Sequence, residues 1–234
     1  MKVAIIPARK NSRRIKNKNI INFCGKPIIS WPIAMAKKSK IFDRVIVSTD
    51  SKKISNIAIK YGAEIPFLRP KNLSGSQTGI IDVIKHAITS LENKNIKFKF
   101  VCCIFATAPF IEKKIIEKAF KLLKKGNYDF VFGAQRVDSK FLRAFYIKNK
   151  NLRMLDKSFY ETPKKSHPLA YVDSGQFYWG TKKAWKKSKM IFSKKSNFVI
   201  LDENKFIDVN THKDLIYTKK IAKKNRHIFK NLNI

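Results

Sequence analysis

The residues best suited to chemistry gather first in one loop. An apolar run over residues 3–8 is followed by Arg9-Lys10-Asn11-Ser12-Arg13-Arg14-Ile15-Lys16-Asn17-Lys18-Asn19, which packs six cations into ten residues. If that run is the first strand of an open α/β sheet, the loop stands at a strand's carboxyl end, where such sheets bind ligands. Clustered Lys and Arg at that place suit a triphosphate, because guanidinium groups bind phosphate oxygens in pairs. The loop is neither Gly-x-Gly-x-x-Gly nor a Walker sequence, which argues against a dinucleotide dehydrogenase or a P-loop NTPase. The plain alternative is a solvated basic loop in a basic protein, and composition alone leaves the two level.

The elements that would hold this loop are legible in the hydrophobic pattern. Short apolar runs over 3–8, 44–49, 98–105, 128–132, 176–179 and 198–201 read as strands. Helical spacing appears over 27–38, 51–61, 79–91 and 112–125, with Gly62 and Gly126 as stops. Thr211 with Asp214 forms a capping-box pattern that opens a last helix. Strand and helix alternate, so the fold class is α/β: a mostly parallel sheet with helices on both faces, Rossmann-type. Residues 140–172 break the rhythm. Two alternating pieces, 144–147 and 152–155, flank a polar turn and predict a hairpin outside the main sheet. The chain reads as one domain over 1–234 with that insertion inside it.

Composition sets further bounds. The 234 residues carry 51 Lys+Arg against 16 Asp+Glu, a net charge of +35, with 44% hydrophobic residues. That apolar content excludes a disordered chain. Only 9 of the basic residues are Arg, and Lys, Ile and Asn are abundant throughout, the mark of AT-rich codon usage. No zinc-finger, RNP or helix-turn-helix signature accompanies the charge, so no specific nucleic-acid partner is expected. No apolar run reaches the ~20 residues needed to span a bilayer, and no membrane partner is expected. Three cysteines, two of them adjacent (Cys102, Cys103), make neither a disulfide framework nor a metal knuckle and suit a reducing cytoplasm.

The ordered motifs add a resemblance. Ile6-Pro7-Ala8-Arg9, Ser12 and Lys18-Asn19 resemble the opening signature of the CMP-sugar synthetases, the cytidylyltransferases of 2-keto sugar acids. Phe23-Cys24-Gly25-Lys26-Pro27, Val45-Ile46-Val47-Ser48-Thr49-Asp50, Phe67-Leu68-Arg69-Pro70, Leu73-Ser74, Thr78-Gly79 and His86-Ala87 continue the pattern in order. Cys102 to Phe110 and Ala170 to Gly180 are similar to the branch that acts on pseudaminic acid. Phe105 stands where sialic acid enzymes carry a Gln that contacts the sugar.

The resemblance implies transfer of CMP from CTP to the anomeric hydroxyl of a nine-carbon sugar acid, with release of pyrophosphate, for surface glycan or flagellin glycosylation. It implies Arg9, Lys18 and Asp208 as catalytic residues. Ala8, Arg9, Ser12, Arg13, Lys18, Asn19, Arg69, Ser74 and Thr78 would bind the nucleotide. Phe105, Arg143, Tyr171, Asp173, Gln176 and Phe177 would face the sugar, Arg143 and Tyr171 toward a partner's site in a homodimer joined by the hairpin. Without the resemblance, Asp173 before Ser174-Gly175 reads as a turn residue. Mg²⁺, arriving as the CTP complex, would meet Asp208 and Asn210. The sequence departs from the family at Lys10-Asn11, where Gly-Gly is usual, and at Val172, where His is usual. It departs again at Gly75-Ser76, where acidic residues are usual, and at Asn210, where a second Asp is usual. Rival readings are the same transfer to sialic or legionaminic acid, and a homologue with impaired catalysis that binds polyanions.

Overall fold

The computed structural model describes residues 1–202 and 207–225, together with Phe229 and Leu232. Strand β1 (Lys2–Pro7) leads through the basic loop to a two-residue ribbon, β2 (Asn22–Phe23) and β3 (Lys26–Pro27), and then helix α1 (Ser30–Lys38). Strand β4 (Arg44–Ser48), α2 (Lys52–Lys60), α3 (Ile80–Glu92), β5 (Phe100–Ile104), α4 (Lys113–Lys125) and β6 (Phe130–Val137) follow. The insertion holds β7 (Phe145–Lys148), β8 (Asn151–Met154) and a short helix α5 (Ser158–Glu161). The chain returns along β9 (Ala170–Thr181), α6 (Lys182–Lys187), β10 (Ser196–Ile200) and α7 (His212–Lys224).

The main sheet has the order β10-β6-β9-β5-β1-β4. Its pairs are parallel except those of β9, which runs antiparallel to both β5 and β6. Helices cover both faces, and strand alternation divides the core between them. Ala4, Ile6, Cys102 and Ile104 pack with residues of α1, α2, α4 and α7. Val3, Ile5, Val101 and Cys103 pack with α3 and α6. Cys102 and Cys103 therefore face opposite layers.

Local signals place the elements. Ser51 Oγ accepts the Ile54 N–H at 3.3 Å to cap α2, and Gly62 at φ +87° follows its end. Pro32 sits in the first turn of α1, where no intrahelical N–H is needed. At α7 the Thr211 hydroxyl accepts from the Asp214 N–H, while the Asp214 carboxylate accepts from the Thr211 N–H, so the capping box is complete. The expected hairpin is present as β7 and β8, in register Phe145 with Met154 and Ile147 with Leu152. Asn149 and Lys150 at its turn have φ of 53° and 63°, the two positive values a tight type I′ connection demands. Strand β9 is longer than the 176–179 reading. Among the described residues, no helix is long and apolar enough to cross a membrane.

Candidate active site

The parallel strands end at one edge of the sheet, and the basic loop after β1 lies there. Being antiparallel, β9 begins at that same edge, and this brings residues 170–176 beside the ends of β5 and β6. Strand β9 is irregular here. Phe132 pairs with Tyr178 and Ala134 with Asp173, so Ser174, Gly175, Gln176 and Phe177 lie opposite Gly133 alone. Such bulges re-aim side chains. Ser174 Oγ donates to the Gly133 carbonyl at 2.7 Å, and Gly175 adopts φ +60°.

A cleft of about 480 Å³ opens at this edge. It brings together Arg9, Ser12, Arg13, Lys18, Asn19, Arg69, Thr78, Phe105 and Asn210 from the sequence-derived set. Arg9 Nη1 donates to the Gly75 carbonyl at 2.7 Å, and Asn19 Nδ2 donates to the Arg9 carbonyl at 2.9 Å. Lys18 Nζ donates to the Val209 carbonyl at 2.8 Å. Burial pulls the Lys18 ammonium below the ordinary lysine value; Asp208 opposes this, while Arg14 and Arg9 add to it. Lys10 is exposed, lies outside the cleft lining and anchors the loop through its N–H, which donates to Asp50 Oδ1 at 2.7 Å. The Lys at the usual glycine position is thus accommodated by pointing away.

Arg69 is the unusual member. It is only 5% exposed, yet its Nε and Nη2 have no hydrogen-bond partner. Burial lowers its affinity for the proton, with Asp50 opposing and Arg9 adding to the effect. A buried cation with free donors on a cleft wall is costly unless an acceptor arrives.

Asp173 and Asp208 stand beside the bulge. Asp173 Oδ2 accepts from the Tyr178 hydroxyl, and its Oδ1 accepts the Gly175 N–H at 3.2 Å. A Cβ on Gly175 would fall 2.9 Å from Asp208 Cγ, so only glycine lets that carboxylate sit there. Burial raises the pKa of both carboxyls above the ordinary aspartate value, although each keeps exposed surface. The amide of Asn210 and the charge of Lys18 oppose the rise at Asp208.

Other expected residues lie elsewhere. Ala8 is buried and donates its N–H to Ser48, and Ser74 Oγ donates to the Pro70 carbonyl; neither lines the cleft. Phe177 is fully buried in the core and does not face a sugar site, because the bulge turns it inward. Gln176 is buried and its Nε2 reaches the Ile207 carbonyl at 3.2 Å, tying β9 to the segment before Asp208. Arg143 donates to the Phe159 and Thr162 carbonyls within its own arm. Tyr171 packs its ring on Phe198. Gly75 and Ser76 line the cleft within the expected 74–78 wall, and Arg14 lines it as one of the loop's cations, whereas Pro7, Ile80, Val83, Ala106 and Thr107 are walls to which the reading gave no site role.

The expected metal pair is only half present. Arg14 Nη2 donates to Asn210 Oδ1 at 2.6 Å, and Asn210 Nδ2 donates to Asp208 Oδ2. A guanidinium only donates and a carboxylate only accepts, so these partners fix the amide orientation. Asn210 therefore turns its nitrogen, not its oxygen, toward Asp208. The pair does not fit a two-oxygen metal site, and Asp208 remains as the single carboxylate of this motif.

A cytidylyltransferase family model matches residues 3–231. The chain belongs to the cytidylyltransferase family. A pseudaminic acid cytidylyltransferase from Campylobacter jejuni is 40% identical over 95% of this chain and 97% of its own length. A CMP-N,N'-diacetyllegionaminic acid synthase from Legionella pneumophila is 26% identical over 96% of this chain and 97% of its own. Among solved structures, a CMP:2-keto-3-deoxy-manno-octonic acid synthetase complexed with CTP superposes with a TM-score of 0.70 at 13% identity. It covers 96% of this chain and 99% of its own. This cytidylyltransferase thus shares its fold with that synthetase.

Proposed function

We propose that the protein transfers CMP from CTP to the anomeric hydroxyl of a nonulosonic acid, with pseudaminic acid as the acceptor. The observation that carries the nucleotide half is Arg69, a buried guanidinium with free donors in a cleft also lined by Arg9, Arg13 and Lys18. The acceptor rests on the Campylobacter relative, 40% identical over nearly all of both chains. The acceptor hydroxyl would lose its proton to solvent as its oxygen bonds to the α-phosphorus and the bond from that phosphorus to the β-phosphate bridge breaks. Negative charge then grows on pyrophosphate. Fixed cations aimed at it, Arg9 and Lys18 foremost, stabilise that charge without reorganising. Asn19 and Thr78 border the nucleotide. Phe105, with its ring 5.5 Å from that of Tyr178, forms an apolar wall toward Asp173 and the acceptor end.

Mg²⁺ belongs to this reading as a companion of CTP, adding charge neutralisation on the phosphates. A homodimer and a cytoplasmic setting belong to it as well. The hairpin presents Phe145, Ile147 and Leu152 at 61%, 63% and 58% exposure on one face, a surface suited to a second copy. Arg143 and Tyr171 would act across that contact.

Mass spectrometry of a reaction containing CTP, Mg²⁺ and a panel of sugar acids tests the proposal. CMP-pseudaminic acid as the main product is the expected result. Preference for legionaminic or sialic acid would overturn the acceptor. Absence of any CMP-sugar, with oligonucleotide binding that falls steeply with salt, would favour a polyanion binder instead.

A further inference from the structure

The cleft lining contains Arg9, Arg13, Arg14, Lys18 and Arg69 and, among the described residues, no Asp or Glu. Two of these cations converge on one short segment. Lys18 Nζ reaches the Val209 carbonyl, and Arg14 Nη2 reaches Oδ1 of the next residue, Asn210. The backbone N–H of Asn210 is itself held, donating to Asp214 Oδ2 at 2.9 Å inside the α7 capping box. Asn210 is thus fixed through its backbone, through Asp208 and through Arg14.

We infer that Arg14 is a further phosphate-binding residue of the cleft, with Asn210 as its positioning residue, and that these fixed cations hold the phosphates directly rather than through a metal bound at residue 210. The inference rests on the nucleotidyl transfer reading above. A guanidinium has five N–H donors in a planar fork, and Asn210 accepts from one nitrogen. The rest of the exposed side chain borders the cleft. A neutral amide orients Arg14 and leaves its charge for phosphate. An aspartate at 210 would orient it equally well and cancel that charge in an ion pair. A free divalent cation entering beside five cationic side chains meets repulsion until a triphosphate is present. The neutral residue at 210 is therefore matched to Arg14 rather than to a metal.

Isothermal titration with EDTA present tests this, with CTP and inorganic tripolyphosphate as ligands. The wild-type protein should bind both. Arg14→Ala should weaken both by about 10- to 100-fold, the scale of a charge-assisted hydrogen bond. Arg14→Lys should recover part of the loss, because it restores charge without the fork. Asn210→Asp should weaken tripolyphosphate in the same direction with an unchanged melting temperature. Unaltered binding by Arg14→Ala overturns the inference. So does Asn210→Asp with unweakened tripolyphosphate binding and tighter Mn²⁺ binding measured by EPR, since that outcome marks Asn210 as a metal position. If the wild type ignores CTP but binds tripolyphosphate in an Arg14-dependent way, the cytidylyl reading fails and the Arg14 assignment stands.

Discussion

Arg69 exposes a conflict between holding the fold and holding a ligand. Two donors of its buried guanidinium, Nε and Nη2, lack a partner, a cost that an incoming acceptor relieves. Arg69→Met should therefore raise Tm, by about 2–4 °C for each kcal/mol relieved, while CTP affinity falls. Calorimetry and CTP titration on the same sample check both halves; a lower Tm would show that Arg69 is structurally satisfied. Lys18 gives a pH prediction. Its ammonium is the phosphate-binding form, and burial lowers its pKa below the ordinary lysine value. The basic limb of kcat/KM for CTP should then begin below the ordinary lysine range. Lys18→Arg should move that limb upward, since Arg keeps its charge, though at a lower rate. A limb unmoved by Lys18→Arg would assign it to another group. At this scale the sequence exposed the cation loop and, through its motifs, Arg69. It did not single out Arg14, whose partner Asn210 lies 196 positions away. Nor did it show that Phe177 turns inward, because alternation cannot be read through a bulge.

Among elements, the helices were the most legible, because caps and stops are local chemistry. Ser51 and the Thr211–Asp214 box do what their residue types demand. The length of β9 was not legible: residues 170–175 carry Asp173, Ser174 and Gly175, which read as a turn, and only β6 alongside makes the first of them strand. The bulge depends on Gly175, which combines φ +60° with contact against Asp208. Gly175→Ala should destabilise the protein by about 1 kcal/mol or more from backbone strain alone. It should also lower turnover by displacing Asp208. Denaturant melts with steady-state kinetics would show both, and an alanine variant with wild-type kinetics would free Asp208 from its present role.

For the whole molecule, the open question is assembly. The hairpin buries none of Phe145, Ile147 or Leu152, and an isolated two-stranded hairpin is marginal in water. An isologous two-fold contact is the commonest solution. Light scattering at micromolar protein and high salt, which suppresses polyanion artefacts, should report a dimer. A fully active monomer would return the arm to a role within its own chain.

Strand β9 also orders events during synthesis. It pairs with β5 and β6, which are made roughly 30 to 80 residues earlier than β9 and lie on either side of it in the sheet. Until residue 181 leaves the ribosome, both halves of the sheet carry an open apolar edge, and closing it is a long-range step that small-loop folding cannot speed. Such edges recruit other chains. A fragment ending at residue 165 should therefore bind hydrophobic dyes and sediment as aggregates, whereas one ending at 202 should do so less. Equal solubility of the two would mean that the halves close without their central strand. The strand that shapes the acceptor end of the cleft is thus also the clasp that joins the two halves of the newborn sheet.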